Sequence, residues 1–281
     1  EHPKVLVNGL AAIAVGLILA GGYALGREYR RQFLRAPRDY EDAGVPVLGV
    51  LPFRQASQRG EAVWQKHLKY LTTELRRVSR GKVIQFTGMA GAEGASLILS
   101  ELAATAASSG AHILIVDAAG EDPALHGYFK KPRAPGFTEA AASAVISEEP
   151  DSNADGADRE LEQVRGRPPK IRPGGDARNT AVSLQDTVMK INDNADFVPA
   201  GRPRAASEWN PGSIREQLKS MATVYDLVLM DSSAFQADNR STEIAELADE
   251  TVCVFDAERS TQNHLQDLLR RTADSSRPLR F

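Results

Sequence analysis

From Lys82 onward, short apolar runs alternate with longer segments in which apolar residues recur every three or four positions. The short runs predict buried strands, because strands covered on both faces of a parallel sheet are apolar throughout. The longer segments predict helices, and the alternation predicts an α/β domain with a doubly wound, mostly parallel sheet. The predicted strands are Val83 to Thr87, His112 to Asp117, Asp196 to Pro199, Leu227 to Asp231 and Val252 to Phe255; the predicted helices are Ser96 to Ser109, Ser213 to Ala222, Ser241 to Ala248 and Asn263 to Arg271.

Local signals mark some of the helix ends. Glu61 to Val78 has apolar residues at helical spacing and predicts a further helix before the first strand. Gly110 predicts the end of the helix that follows the first strand. Ser213 and Glu216 match a capping box, which predicts a helix that begins at Ser213.

The N-terminal stretch Val5 to Gly26 carries no charged residue and is long enough to span a bilayer. Its upstream flank has a single cation, Lys4, whereas four arginines follow it. This asymmetry predicts an inner-membrane helix with everything after Arg27 in the bacterial cytoplasm. The chain begins at Glu1 instead of Met, which favours a fragment or a processed chain. The arginines are Arg27, Arg30, Arg31 and Arg35.

A stripe of small residues runs along this helix at every fourth position. Such stripes let helix backbones approach closely, so it indicates either helix packing within a homo-oligomer or only the composition usual for membrane helices. The stripe is Asn8, Ala12, Gly16, Ala20 and Ala24.

Three parts of the chain are predicted: a membrane helix with its basic flank at 1–36, a juxtamembrane linker at 37–60, and a cytoplasmic domain at 61–281. Within the domain, 147–180 is rich in charge, Pro and Gly and poor in apolar residues, which predicts a flexible surface insertion.

Composition excludes some classes of function. The net charge of −3 gives no general attraction to nucleic acid. The one cysteine, Cys253, rules out an internal disulfide framework and stands in an apolar run, as a buried structural thiol does. No histidine has zinc-ligand spacing to cysteines or carboxylates, so we expect no metal site of that kind.

The chemistry of the chain centres on "VIQFTGMAGAEGAS", Val83 to Ser96. An apolar run, a Gly-rich turn and a helical segment have the arrangement of a phosphate-binding P-loop. A working loop ends Gly-Lys-Ser/Thr, because the lysine neutralises phosphate oxygens. Here Ala95 stands between Gly94 and Ser96, so the residue that gives the loop its charge is missing.

The order of motifs resembles one family of bacterial membrane proteins. The membrane helix, "VPVLGVLP", the Gly-rich loop, "ILIVDAAGEDPALHGYF", "PGFTEA", "FVPAG" and "YDLVLMDSS" follow one another as in the C-terminal half of polysaccharide co-polymerases of the Wzz or chain-length-determinant type. In many members this half is a cytoplasmic tyrosine autokinase with a MinD-like P-loop NTPase fold. The resemblance implies that Ser96, Asp117 and Asp231 correspond to magnesium-binding positions.

Three of the chain's departures from the family bear directly on catalysis. Ala95 replaces the loop lysine, Ala119 replaces the second acid of an Asp-x-Asp motif, and no tyrosine follows Tyr225, so the C-terminal tyrosine cluster is missing. Phosphoryl transfer needs charge neutralisation, bound metal and a positioned acceptor, and each loss removes or weakens one of them. The losses predict a pseudokinase with no catalytic residue and no expected cofactor. ATP or ADP with magnesium is the second choice, and the vestigial nucleotide loop would then use Gly91, Glu93, Gly94, Ala95, Ser96, Leu97, Asp117 and Asp231.

Three functions remain open. The first is a non-catalytic scaffold that regulates chain length or export of an exopolysaccharide or capsule. Its expected partners are the inner membrane, further copies of the chain, polymerase and export proteins, and a separate kinase or phosphatase, but no nucleic acid. The second is an atypical ATPase or tyrosine autokinase, and the third is a MinD/ParA-like partner-binding module in another membrane system.

Overall fold

The computed structural model describes residues 5–31, 34, 36–79, 81–91, 93–120, 123–146, 182–203, 209–237, 240–272 and 279–280. The predicted insertion at 147–180 and the flanking Arg35 lie outside the described residues. The helices are α1 (Val5–Arg31), α2 (Pro37–Glu41), α3 (Gln58–Ser79), α4 (Ala95–Ser108), α5 (Leu125–Tyr128), α6 (Phe137–Ile146), α7 (Pro211–Ala222), α8 (Arg240–Leu247) and α9 (Gln262–Thr272). The strands are β1 (Val83–Gly88), β2 (Ile113–Asp117), β3 (Met189–Asn192), β4 (Ala195–Val198), β5 (Leu227–Asp231), β6 (Glu250–Val254) and β7 (Leu279–Arg280).

The strands form one sheet in the order β3-β4-β2-β5-β1-β6-β7. Every pair is parallel except β3 with β4, which are antiparallel. The central strands β1, β2 and β5 are buried along their whole length. The predicted doubly wound, mostly parallel sheet is therefore confirmed, and each of the five predicted strands lies within one or two residues of its observed position.

Helices cover both faces of the sheet. On one face, α3 and α4 pack against β1, β2 and β5 through residues such as Leu68, Leu99 and Phe86. On the other face, α6, α7 and α8 pack around Phe137, Trp209 and other buried residues. The helix α3 follows the predicted spacing, since its buried side chains recur at intervals of three or four residues: Trp64, Leu68, Leu71, Thr72, Leu75 and Ser79.

Helix α7 corrects one prediction. It begins at Pro211, and Asn210 is its N-cap, with the Asn210 side-chain oxygen accepting a hydrogen bond from the Ser213 backbone N–H at 3.1 Å. The capping box at Ser213 and Glu216 is therefore wrong. Proline suits the first position of a helix because its fixed φ is helical and its missing N–H would have had no partner there.

The helix α4 ends as predicted, since Gly110 has a φ of 81° just beyond the C-cap Ser109. The elements α2, α5, α6, β3 and β7 have no counterpart in the sequence prediction. They are short, lie at an edge of the sheet, or are too uniformly apolar for a clear period.

The segment between α1 and α3 packs against the domain. Leu34, Tyr40 and Val45 are buried in a cluster that includes Met89 and Leu265. The Leu34 backbone N–H donates a hydrogen bond to the Ser260 carbonyl at 3.0 Å, and the Tyr40 ring meets the Phe255 ring edge-on.

By length and composition, the Val7–Gly26 part of α1 can cross a membrane, and none of that window is buried against the rest of the protein. Leu17, Ile18 and Leu19 are among the large apolar side chains of this helix that are exposed.

Candidate functional site

The candidate site lies at one end of the sheet, where three strands end. Asp117 and Asp231 are the last residues of β2 and β5 and are register partners in this parallel pair. The strand β1 lies on the other side of β5 and leads into the Gly-rich loop after Gly88. Because parallel strands bring their carboxyl ends to the same edge, the loop and both aspartates converge there.

The Gly-rich loop requires glycine at two positions. Gly91 has a φ of 90° and Gly94 a φ of 81°, a left-handed conformation that other residues rarely adopt. Gly94 is the N-cap of α4, so Ala95 is the first residue of that helix and Ser96 and Leu97 follow in its first turn. The strand–loop–helix connection of a P-loop is thus present, with a methyl group where its lysine would be.

Glu93 folds back onto the loop. Its Oε1 accepts a hydrogen bond from the Ala90 backbone N–H at 2.7 Å. Its Oε2 is buried without a hydrogen-bond partner among the described residues, and it lies so close to Gly88 that a side chain at that position would clash. A carboxylate therefore lies against the backbone from which a P-loop would bind phosphate.

The two aspartates are buried without sufficient hydrogen bonds. Asp117 is fully buried, and its Oδ1 accepts a hydrogen bond from the Ala119 backbone N–H at 3.2 Å. Its Oδ2 and both carboxylate oxygens of Asp231 lack a partner within the described part of the chain. Buried carboxylate oxygens without partners are unfavourable for stability, and they mark a place where a proton or a cation binds well.

Burial raises the pKa of both aspartates. Desolvation raises the pKa of Asp231 to about 7; the neighbouring Asp117 charge adds to the rise, and the Ser96 hydroxyl opposes it without reaching hydrogen-bonding geometry. Desolvation likewise raises the pKa of Asp117 to about 7, while the Ala119 and Leu125 backbone groups and the Arg133 charge act in the opposite direction. Two adjacent carboxylates in a dry site each disfavour the ionised form of the other.

Two arginines from distant parts of the sequence lie near this acidic end. Arg133 influences Asp117 and donates a hydrogen bond from its Nε to the Gly201 carbonyl at 3.1 Å. The Arg240 guanidinium stacks over the Trp209 ring at 5.6 Å from its centroid and lies against Gly120, where a Cβ would clash with it. No sequence motif singles out either arginine, because only the chain crossings of the fold bring them close.

The acidic end fits a divalent cation of the magnesium type. The hard oxygen ligands that magnesium prefers are available from Asp117, Asp231 and the Ser96 hydroxyl. The three carboxylate oxygens without partners are the observation that supports this fit. Across the described residues, no group of three or more His, Cys, Asp or Glu side chains could hold a metal, so any ion here would need water or a ligand to complete its shell.

A small cavity of about 140 Å³ lies on the other side of the loop. Its mixed polar lining comes from the loop, from the turn after β6 and from α9. The lining residues are Ala90, Gly91, Glu93, Arg259, Ser260 and His264. No sequence pattern predicted that Arg259 and His264 lie beside the loop.

The structure therefore brings all eight predicted site residues to one end of the sheet, in two groups. The acidic group joins Ser96 to Asp117 and Asp231, and the loop group contains Gly91, Glu93, Gly94, Ala95 and Leu97. Leu97 is 39 % exposed on the outer side of the first turn of α4. Their use as a nucleotide site stays a prediction.

Proteins with known structures share the fold of this domain. The kinase domain of Escherichia coli tyrosine kinase ETK matches with a TM-score of 0.63 over 88 % of this chain and 92 % of that one, at 15 % identity. The domain has the fold of bacterial tyrosine-kinase domains. The BceF tyrosine kinase domain matches with a TM-score of 0.57 over 88 % of this chain and 96 % of its own, at 19 % identity.

The chain is also similar in sequence to proteins named as tyrosine kinases. The chain is 25 % identical, over 95 % of its length, to a Ralstonia nicotianae protein named "Putative tyrosine-protein kinase EpsB". It spans about a third of that relative, 34 % of its length. No protein-family model matches the chain.

Proposed function

We propose that this tyrosine-kinase-like domain is non-catalytic and serves as a membrane-anchored scaffold. It regulates the chain length or export of a bacterial exopolysaccharide or capsule by presenting a surface to the polymerase and export proteins. A separate kinase or phosphatase acts in place of its own active site. The order of motifs in the sequence supports the polysaccharide role, and the kinase fold and the similarity to EpsB support the kind of domain.

The charge balance of the loop is the observation that carries this proposal. The first turn of α4 begins with Ala95, and Glu93 on the loop and the buried pair Asp117 and Asp231 place carboxylates close to it. A nucleotide brings further negative charge to the same place. Without the lysine, its phosphates meet carboxylates where a working loop offers an ammonium group.

Two further features also support a non-catalytic domain. Ala119, where the family has a second acid, contributes only its backbone N–H to Asp117. From Asp226 to Phe281 the sequence contains no tyrosine that could serve as an acceptor. A single substitution could tune an active site, but these features affect three separate requirements of phosphoryl transfer.

The anchoring part of the proposal rests on α1. We place this helix in the inner membrane with the domain in the cytoplasm, because arginines follow its apolar window and Lys4 alone precedes it. The small-residue stripe supports a homo-oligomer through close helix packing.

Catalysis is tested directly on the whole chain in nanodiscs with magnesium and ATP. We expect neither ATP turnover nor phosphotyrosine, and an Asp231→Ala variant should behave the same. Turnover that disappears in Asp231→Ala would show a live site and would overturn the non-catalytic proposal.

One observation favours a second candidate, an atypical ATPase or tyrosine autokinase. The carboxylate oxygens of Asp117 and Asp231 without partners fit magnesium, which would arrive with ATP or ADP as cofactor and would stabilise the charge of the phosphates. A magnesium-dependent ATP titration separates the candidates. Binding without turnover leaves a regulatory nucleotide site, whereas binding with turnover supports the enzyme.

A further inference from the structure

The connection between the membrane helix and the domain is short. The helix α1 ends at Arg31, and Leu34 is already buried in the domain at 2 % exposure. The Leu34 N–H donates to the Ser260 carbonyl at 3.0 Å. Three residues span at most about 10 Å. If α1 crosses the membrane as proposed above, Ser260 is held within about that distance of the helix end.

Ser260 belongs to the end of the sheet that carries the candidate site. It follows β6 on its carboxyl side and lines the cavity beside the Gly-rich loop, together with Arg259 and His264. A domain fixed to the membrane helix at this point turns this end toward the bilayer. The opposite end, where α7 leads into β5 at Val224, then faces away.

The same end exposes a large aromatic side chain. The helices α3 and α4 both begin at this end, and Phe53 lies just before α3 with 93 % of its surface exposed. Arg54 forms ion pairs with Glu61 and Glu101, at 2.9 Å and 3.2 Å, which connect the segment that carries Phe53 to α3 and α4.

This combination suits a layer of phospholipid headgroups. Aromatic side chains are favoured in that layer, where the ring contacts the acyl chains and the headgroups together. Cations near an anionic leaflet gain about 1 kcal/mol each. Arg259 is exposed on this end beside the exposed Glu258, and Arg27, Arg30 and Arg31 follow the apolar window within α1.

We propose that the loop-bearing end of the domain docks on the anionic cytoplasmic surface of the membrane that α1 spans. Phe53 inserts among the headgroups, and Arg259 lies beside their phosphates. The mouth of the Gly-rich loop consequently opens toward the bilayer surface. This inference rests on the membrane-spanning role of α1 and is independent of whether the domain is catalytic.

Fluorescence quenching on the full chain tests the docking. Cys253 is the one native cysteine and is 1 % exposed, so a new surface cysteine is labelled selectively. Gln55→Cys carries the fluorophore beside Phe53, and Val224→Cys, at a position 75 % exposed at the opposite end, is the matched control. The chain is reconstituted in nanodiscs of phosphatidylcholine and phosphatidylglycerol that contain a lipid with a nitroxide on its headgroup.

We expect the nitroxide lipid to quench the probe at position 55 at least about twofold more than the probe at 224. Adding Phe53→Ser or Arg259→Gln, or omitting phosphatidylglycerol, should reduce the difference. Equal quenching at the two positions would overturn the docking. Protection of position 55 from aqueous iodide without quenching by the lipid would point to a protein partner and would also overturn it. A chain that fails to enter nanodiscs would instead reject the membrane helix itself, and the docking with it.

Discussion

Buried carboxylates at the two ends of the sheet differ in their hydrogen bonding. At the amino end of β6, Glu250 is 1 % exposed and accepts hydrogen bonds from Lys82 Nζ and from the Ser79 hydroxyl, both at 2.6 Å. At the carboxyl end of β5, Asp231 is equally buried and neither of its oxygens has a hydrogen-bond partner within the described residues. Burial alone therefore does not distinguish a structural acid from a candidate site; the partners do.

This difference has a physical meaning. A buried charge that is paired and hydrogen-bonded holds elements together, here the end of α3 and the starts of β1 and β6. Buried acids without partners reduce the stability of the folded state, and such groups persist mainly where they bind something. The amino end of the sheet thus stabilises the fold, and the carboxyl end keeps the groups from which a cation site could be built.

Breaking the amino-end pair should have the largest effect. Lys82→Met removes a partly exposed ammonium partner of the buried Glu250, so we expect the free energy of unfolding to fall by about 2–3 kcal/mol. Both tryptophans are buried in the domain, so their fluorescence follows its unfolding by denaturant. Lys190→Met is the matched control, since Lys190 pairs with Asp193 on the surface and should change nothing measurable. Similar losses in both variants would remove the contrast.

Neutralising Asp231 at the carboxyl end should raise the free energy of unfolding instead of lowering it. The pKa of Asp231 is raised to about 7 in the folded state, so the folded protein binds this proton more tightly than the unfolded chain does. The penalty is absent below the unfolded pKa, grows as the pH rises toward 7 and is complete above it. Asp231→Asn should therefore stabilise the protein by on the order of 2 kcal/mol at pH 8 and by little near pH 4. The remaining ionisation penalty at this site belongs to Asp117.

Thermal unfolding of both proteins at pH 5 and pH 8 checks this sign. A variant that is less stable than the parent at pH 8 would mean that the Asp231 carboxylate has a stabilising partner. The two ends of the sheet would then be alike.

Between the two ends lies a buried polar group that joins them. The Gln85 side chain donates to the Ser232 hydroxyl and to the Ser241 carbonyl, both at 2.8 Å, and accepts from the Thr251 hydroxyl at 2.9 Å. Gln85→Leu keeps the volume but leaves these partners unsatisfied, so we expect a loss of about 1–2 kcal/mol. Gln65→Leu, which removes only a hydrogen bond to Glu61 near the surface, should cost less. A neutral Gln85→Leu would show that the three partners rearrange.

The sequence predicted the end of the sheet where the site lies better than it predicted the charges there. Apolar runs located β1, β2 and β5, and parallel pairing then required Asp117, Asp231 and the loop to meet. The antiparallel edge strand β3 was missed, because its alternation of half-buried and exposed residues is short. The folding of Glu93 onto Ala90 and the approach of Arg133 and Arg240 could not be predicted, since they depend on side-chain direction and on contacts between distant segments.

Restoring a lysine at position 95 should have the smallest effect of these substitutions, but it tests the comparison of the two ends most directly. Ala95→Lys would place an ammonium group on the loop itself, of the kind that Lys82 supplies at the amino end. We expect it to strengthen binding of a fluorescent ATP analogue with magnesium by about tenfold, since a charge-assisted contact to phosphate contributes on the order of 1–2 kcal/mol. Ala95→Met is the matched control, because it adds similar length without charge and should leave the affinity unchanged. Turnover should stay absent in Ala95→Lys, since the variant restores one of three requirements and groups that act as a unit do not contribute independently. Equal gains from lysine and methionine would assign the deficit to packing of the loop, and the missing charge would no longer explain why the two ends differ.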